Sequence, residues 1–153
     1  MYQIGKVKVY LLPLQQSDTT ESCLLSKANH TTLMEVRTGS VEDLVLHHHQ
    51  TIQLLATKGS LVVVILQNQR YDYIVLSDQR PALVDIPPRT PYGLINLNDV
   101  SCFLLCNGQR YALAPEQDYD VLKPPFSYDI ARVIQLLQET NNSQGCRPML
   151  RAL

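Results

Sequence analysis

Residues His47–Gly59 read HHHQTIQLLATKG and hold three of the four histidines of the chain. In an extended strand, successive side chains point to opposite faces of the sheet. One face would then carry His47, His49, Thr51 and Gln53, and the other His48, Gln50 and Ile52. The stretch therefore predicts two imidazoles and one amide that converge on a shared pocket, with His48 facing solvent.

Short apolar and β-branched segments recur on both sides of this stretch, separated by turn-forming residues such as KGS at Lys58 and QNQR at Gln67. Eight segments fit the description: Val7–Leu12, Thr31–Val36, Thr51–Thr57, Leu61–Leu66, Tyr71–Leu76, Ala82–Ile86, Tyr92–Leu97 and Cys102–Leu105. This spacing is typical of an all-β sandwich or barrel rather than of βαβ units.

The pattern changes after Pro124 and Pro125. The segment that follows, SYDIARVIQLLQE, has helical spacing and Ser127 as its predicted N-cap; its apolar stripe is Ile130, Val133, Ile134 and Leu137. We expect a β-domain over residues 1–126, a helix over residues 127–140 and a tail over residues 141–153. The apolar stripe predicts that the helix packs on the domain or on a second subunit.

The bulk composition fits one domain of ordinary size. The chain has 153 residues, of which 45% are hydrophobic, and 13 Lys+Arg against 14 Asp+Glu give a formal net charge of -1. This balance, without a basic block, argues against a nucleic-acid partner.

The most apolar charge-free run, Gly59–Gln69, is shorter than the roughly 18 to 20 residues of a membrane-spanning helix. The N-terminus lacks the pattern of a secretory signal, so we expect a cytoplasmic protein with no membrane partner. The four cysteines, Cys23, Cys102, Cys106 and Cys146, form no CxxC pair and are expected to be buried thiols.

The spacing of the histidines resembles the cupin superfamily, whose first motif is G(x5)HxH(x3-4)E(x6)G. His47 and His49 match the HxH, and Gln53 stands at the Glu position. In the second motif, PPRTPYGLIN, Arg89 replaces a glycine and Tyr92 replaces the histidine. The resemblance covers roughly residues 30 to 113 and implies a cupin (jelly-roll-like) β-barrel with one C-terminal α-helix. Such barrels commonly pair edge strands, which implies a homodimer.

Two shorter matches point to the RmlC-like cupins, a branch that contains deoxysugar nucleotide epimerases and keto-isomerases. HHHQT from His47 resembles HxHKT, and IPPRTPY from Ile86 resembles IPPxxxH. The resemblance implies a small polar ligand in the barrel, such as a keto-sugar linked to a nucleotide. His47 or His49 would be the catalytic base, since an ordinary histidine already titrates near neutral pH, and Tyr92 the acid. The expected substrate-binding residues are Gln53, Arg89, Thr51 and Tyr73.

Two alternatives remain open. In metal-binding cupins the four motif positions hold a divalent ion, and here they are His47, His49, Gln53 and Tyr92. This set has no carboxylate and ends in a phenol with an ordinary pKa of about 10, so no cofactor is expected. The second alternative is a cupin that binds its ligand without changing it. A carboxylate to orient a histidine base is not evident, and Asp72 and Asp85 are the nearest candidates.

Overall fold

The computed structural model describes residues 1–12, 15–16, 21–22, 30–110 and 118–145. Within these ranges the chain forms fourteen strands and one helix. In chain order they are β1 (Tyr2–Ile4), β2 (Val7–Leu11), β3 (Gln15–Gln16), β4 (Glu21–Ser22), β5 (His30–Val36), β6 (Ser40–Val41), β7 (Leu44–His47), β8 (Gln50–Lys58), β9 (Ser60–Gln67), β10 (Arg70–Ser77), β11 (Ala82–Ile86), β12 (Tyr92–Asn96), β13 (Cys102–Arg110), β14 (Tyr119–Leu122) and α1 (Ile130–Gly145).

Most strands belong to two antiparallel sheets. Sheet I has the order β1-β2-β11-β8-β13-β5, and sheet II has the order β10-β9-β12-β7-β14, with β6 beside β12; β3 and β4 form a separate pair. Each of the eight segments predicted from the sequence coincides with one of these strands, although Leu12 and Leu97 lie one residue past the ends of β2 and β12. The predicted mainly β fold with a C-terminal helix is confirmed.

The two sheets pack face to face around one apolar core. On sheet I, Ile52, Leu54 and Ala56 of β8 belong to this core, because every second side chain of a strand points inward. On sheet II, Leu61, Val63 and Ile65 of β9 do the same, whereas Val62 and Val64 lie in a second apolar cluster on the other side of the sheet. Strand β9 is therefore buried on both faces, which explains its uninterrupted apolar sequence.

Helix α1 covers the outer side of sheet II. Val133 and Leu137 are 0% and 3% exposed and pack against Val62, Val64 and Ile95. Of the two predicted alternatives, packing on the β-domain is the one seen here, and only half of the predicted stripe takes part in it. Ile130 and Ile134 remain 38% and 42% exposed.

The predicted start of the helix is wrong by three residues. The helix begins at Ile130, and Asp129 caps it, because Asp129 Oδ1 accepts a 3.0 Å hydrogen bond from the amide of Arg132. Ser127 and Tyr128 instead lie in the segment before the helix. The Tyr128 hydroxyl donates to the carbonyl of Glu42 at 3.0 Å and ties this segment to the sheet.

Cys102 and Cys106 are buried free thiols on the inner face of β13, as predicted, and burial raises their pKa values to about 12 and about 11. Helix α1 continues to Gly145, so the predicted boundary at residue 140 between helix and tail is wrong. Cys23, Cys146 and residues 146–153 lie outside the described residues. Within the described part of the chain, no helix is long and apolar enough to cross a membrane.

Candidate functional site

The three adjacent histidines do not lie on one strand. Strand β7 of sheet II ends at His47, the chain bends at His48 and His49, and β8 of sheet I begins at Gln50. The predicted alternation fails here because it assumed an uninterrupted strand. Each histidine therefore has its own surroundings, set by the sheet or the bend that carries it.

His47 is half-buried and meets two polar partners. Its Nε2 lies 3.3 Å from the hydroxyl of Tyr92, and its Nδ1 lies 2.8 Å from the side-chain nitrogen of Gln50. The ring of Tyr119 is tilted against it, with ring centres 5.9 Å apart. The predicted pairing of His47 with Tyr92 is present in the structure.

The surroundings of His47 favour its neutral form. Burial lowers its pKa from the ordinary 6.5, and the positive groups of His30, His48 and Arg110 act in the same direction. The carboxylate of Asp118 acts in the opposite direction but is outweighed. Together, burial and these charges shift His47 toward its neutral form.

Tyr92 comes from β12 and faces the core beside His47. It is 8% exposed, and burial raises its pKa far above the ordinary 10. Cys106 and Glu42 add smaller increases. The phenol therefore stays protonated and can donate a hydrogen bond throughout the physiological pH range.

His49 is held by a carboxylate that the sequence analysis did not identify. Asp118, whose side chain is 1% exposed, accepts 2.7 Å hydrogen bonds from the backbone amide and from the Nδ1 of His49. Burial alone would raise the pKa of Asp118, but the two bonds from His49 outweigh it and hold the pKa below its ordinary 3.8. The predicted alternatives, Asp72 and Asp85, do not contact a histidine: Asp72 lies 3.6 Å from Arg70, and Asp85 contacts Gln53.

His48 also pairs with a carboxylate, that of Asp120, but both side chains are partly exposed. Its Nε2 lies 2.7 Å from Asp120 Oδ2, but the two side chains are 40% and 62% exposed. The His49 side chain is 53% exposed, more than that of His48, so the predicted contrast between an inward His49 and an outward His48 is not observed. The pair between His48 and Asp120 is a surface contact.

Gln50 takes the place that the sequence analysis gave to Gln53. Gln50 opens β8 on the inner face, is 4% exposed and contacts His47. Gln53 lies on the outer face of sheet I, where its amide nitrogen is 3.4 Å from Asp85 Oδ2 and its backbone is paired with Asn107. Thr51 shares that outer face. The expectation that Thr51 and Gln53 face the histidines is wrong, because the bend at His48–His49 reverses which residues of β8 point inward.

Arg89 contacts His47 through its backbone, whereas Tyr73 lies apart from the His47–Tyr92 contact. Arg89 is exposed in the loop between β11 and β12, and its backbone amide donates to the carbonyl of His47 at 2.7 Å. Tyr73 lies on the outer side of sheet II with the second apolar cluster, where its hydroxyl accepts a 2.8 Å bond from the amide of Asp129. The sheet therefore separates Tyr73 from the histidines.

The inner face of sheet I supplies further groups at the same end of the fold. Gln50 is paired with Arg110, and Ile52 with Gly108, which is paired in turn with His30 of β5. The ring of His30 covers Gly108 so closely that a Cβ there would collide with it. Side chains from both sheets therefore surround one end of the core. They are Gln50, Arg110 and His30 of sheet I and His47, Tyr92 and Tyr119 of sheet II.

The four residues of the metal alternative do not form one ligand set. Gln53 lies on the other face of sheet I from the core that Tyr92 joins, so it cannot share a ligand set with Tyr92. Among the described residues, no group of three or more His, Cys, Asp or Glu side chains is placed to hold a metal ion.

A signal for Asp118 was present in the sequence, since the acidic DYD at Asp118–Asp120 follows the last long strand. Strand β14 pairs antiparallel with β7, with Tyr119 opposite His47. This pairing brings Asp118 and Asp120 to the bend, and it could be inferred only by assigning a strand to a segment without apolar alternation.

No family model matches the chain, and no curated protein does so. Solved structures do match. A dTDP sugar isomerase from Desulfovibrio desulfuricans G20 shares 16% identity at a TM-score of 0.66, over 80% of this chain and 90% of that chain.

Two further neighbours are similar in extent. The sugar 3,4-ketoisomerase QdtA from Thermoanaerobacterium thermosaccharolyticum, solved with TDP, shares 14% identity at a TM-score of 0.64, over 88% of this chain and 98% of that chain. A double mutant of the 3'-monoepimerase ChmJ from Streptomyces bikiniensis, solved with dTDP, shares 9% identity at a TM-score of 0.67, over 86% and 78%. The chain therefore has the RmlC-like cupin fold that these dTDP-sugar isomerases and epimerases share.

Proposed function

We propose that the protein moves a proton next to the carbonyl group of a keto-sugar carried on a nucleotide. His49 is the base, Asp118 is its positioning residue and Tyr92 is the acid. The observation that carries this proposal is the 2.7 Å contact between His49 Nδ1 and the buried carboxylate of Asp118.

Asp118 gives His49 the two properties that a base needs. A carboxylate can only accept a hydrogen bond, so the proton of the neutral ring lies on Nδ1 and the lone pair of Nε2 is free to take a proton. The charge of Asp118 also stabilises the imidazolium that forms when Nε2 is protonated. His49 is the better base of the two candidates, because both nitrogens of His47 have partners in the described structure.

His47 and Gln50 suit Tyr92 to the role of acid. If the amide nitrogen of Gln50 donates to His47 Nδ1, the proton of the neutral His47 ring lies on Nε2 and is donated to the Tyr92 oxygen. This contact leaves the phenolic proton of Tyr92 free for the substrate, and it stabilises the oxygen when that proton leaves. His49 would thus remove the proton from the carbon beside the carbonyl, and Tyr92 would return one to the enolate.

The proposed substrate class is taken from the ligands of solved structures with the same fold. QdtA was solved with TDP and, in a mutant form, with TDP-4-keto-6-deoxyglucose. A keto group acidifies the adjacent C–H bond, which is the proton that a histidine base can remove. The shared fold and the histidine base together favour a keto-sugar nucleotide over other small polar ligands.

The test is exchange of substrate protons with solvent. The protein is incubated with TDP-4-keto-6-deoxyglucose in deuterium oxide, and deuterium at the carbons flanking the carbonyl is followed by mass spectrometry and proton NMR. We expect exchange above the enzyme-free rate, and His49→Asn should slow it by about a hundredfold or more. His48→Asn is the matched control, because His48 contacts only the exposed Asp120 among the carboxylates described, and it should exchange at the normal rate.

Tyr92→Phe separates the two roles. This variant should keep much of the exchange of substrate protons with solvent, because the base is intact. It should form less isomerised sugar, because the acid is missing. If the wild-type protein binds the sugar nucleotide and exchanges none of its protons, the catalytic proposal is refuted and a binding protein remains. Equal rates for His49→Asn and wild type would refute the assignment of the base.

A further inference from the structure

A cavity large enough for a small molecule lies at the end of the fold opposite His47. Strand β8 runs from Gln50, which contacts His47, to Lys58, and its length in extended conformation is about 26 Å. The cavity at the Lys58 end measures about 490 Å³, and sites for small ligands typically measure roughly 300 to 1,000 Å³. Its wall is formed by the hairpin between β8 and β9, the loops after β10 and β12, and Asn141 of α1. This distal cavity is therefore separate from the candidate catalytic site.

Buried polar side chains hold the walls of the distal cavity in place. Asn96 is 0% exposed, and its side chain donates 2.9 Å hydrogen bonds to two backbone carbonyls, one of them in the loop after β12. Asn98 of that loop donates to the carbonyl and the hydroxyl of Ser60 at 2.8 and 3.0 Å. The Asn98 side-chain oxygen accepts a 3.2 Å bond from Asn141. These bonds fix the loop, the hairpin and the helix relative to one another, so a ligand does not have to order them.

A β-bulge brings an aromatic ring and an ammonium group to the same cavity. From Leu104 onward, β13 pairs with β8 in continuous register, with Leu104 opposite Ala56. Phe103 lies opposite Lys58 instead, so Thr57 is the extra residue of the bulge. The Thr57 hydroxyl donates to the carbonyl of Phe103 at 3.1 Å and stabilises this arrangement. Bulges re-aim side chains and are common beside functional sites, and here both Phe103 and Lys58 line the cavity.

The charged groups of the distal cavity disfavour an anionic ligand. They are one cation, Lys58, and two carboxylates, Asp78 and Asp99. Neither Lys58 nor Asp99 forms an ion pair with a described residue, and Asp78 Oδ1 accepts a 3.3 Å bond from the Gln79 side chain. An ammonium group only donates hydrogen bonds and a carboxylate only accepts them. The cavity therefore suits a neutral ligand whose groups do both.

We propose that the distal cavity binds a saccharide that carries no phosphate group. Each hydroxyl group of a sugar both donates and accepts hydrogen bonds, so it can pair with the carboxylates of Asp78 and Asp99 and with the Lys58 ammonium group. The C–H face of a sugar ring is apolar and can pack on the ring of Phe103. The occupant is either a single sugar or the end of a longer glycan. This second site does not rest on the proposed catalytic function.

The test is a titration of isotopically labelled protein, followed by amide NMR, with methyl α-D-glucopyranoside, methyl α-D-galactopyranoside and maltotriose. At least one of these sugars should shift the amide signals of Gly59, Asn98 and Asn141 until they saturate. The amides of Gln50 and Gly108, at the other end of the fold, should keep their positions.

The variants Asp99→Ala and Lys58→Ala should each weaken binding about fivefold or more, because each removes a charged partner of a sugar hydroxyl. Both residues are exposed, so the fold should be kept, and the amide spectrum verifies this. Phe103→Leu should also weaken binding, because it removes the flat ring and keeps an apolar side chain. Asp120→Ala is the matched control for Asp99→Ala, because it removes the same charge from a carboxylate that is 62% exposed and lies beside His48.

Tighter binding of maltotriose than of the methyl glycosides supports the site with a glycan end as its occupant, and equal affinity supports it with a single sugar. The proposal is overturned if none of the sugars gives saturable shifts at high millimolar concentration, or if the shifts centre on Gln50 and Gly108. It is also overturned if TDP displaces the sugar, or if Asp120→Ala weakens binding as much as Asp99→Ala does. His49→Asn should bind the sugars normally, so failure of the catalytic proposal is visible separately.

Discussion

The buried carboxylate of Asp118 and the exposed carboxylate of Asp120 allow a measurement of what burial and a second hydrogen bond together add to a histidine–aspartate pair. Both contact a histidine ring at 2.7 Å, but their side chains are 1% and 62% exposed. Asp118→Asn replaces one of two acceptor oxygens by an NH2 group, so one of the bonds from His49 is lost. A hydrogen bond to a charged group contributes about 1.5 to 3 kcal/mol, and we expect the free energy of unfolding to fall by about 2 to 3 kcal/mol.

Asp120→Asn is the matched control. Exposed ion pairs contribute about 0.2 to 1 kcal/mol because water and salt screen them, so this variant should lose less than about 1 kcal/mol. Urea unfolding followed by circular dichroism measures both, since the chain has no tryptophan for fluorescence.

The pH dependence of the free energy of unfolding gives a second measurement of the His49–Asp118 pair. The folded pKa of Asp118 is below its ordinary 3.8, so the carboxylate contributes stability above that pH, and this contribution is lost as pH falls through the folded pKa. In Asp118→Asn the acid-sensitive part of the stability curve should shrink. Equal losses in Asp118→Asn and Asp120→Asn, with equal acid slopes, would refute the reasoning that burial and the second bond strengthen the pair.

Three further outcomes follow from the structure. Leu137→Ala should destabilise the fold by about 2 to 5 kcal/mol, whereas Ile134→Ala, which removes a 42% exposed side chain, should cost under about 1 kcal/mol; similar melting temperatures would contradict the packing of α1 on sheet II. In histidine NMR titrations, His47 should titrate below its ordinary 6.5 and lower still in Asp118→Asn, and a midpoint above 6.5 would count against its burial. Gly59→Ala should cost about 1 to 2 kcal/mol, because Gly59 has a φ of 83°; unchanged urea midpoints would argue against that conformation.

The sequence predicted the elements of this fold well, because strand periodicity is a local property. The eight apolar segments each produce a strand, and the stripe around Val133 and Leu137 produces a helix on the β-domain. The start of that helix was predicted less well, since Ser127 and Asp129 are both good caps. Tertiary contacts of Tyr128 and Tyr73 decide in favour of Asp129.

The candidate site was predicted only in part. His47 and Tyr92 were paired correctly, because the motif spacing encodes their proximity. Gln53 and Thr51 were assigned to the wrong face, because a bend of two residues between sheets leaves no periodic signal. Asp118 was missed because it reaches His49 through pairing of β14 with β7, a contact between segments 69 residues apart in sequence.

The bend at His48–His49 is a place where the sequence can change without disturbing either sheet. Strands pair in fixed register, so inserting one residue within β7 or β8 would turn the inward side chains on one side of the insertion outward. The bend belongs to neither ladder, and it is held by the carbonyl and side chain of Asp118, which accept bonds from the amides of His48 and His49. Changes of length or residue type at this position could therefore exchange the chemistry of the site during evolution while both sheets keep their core intact.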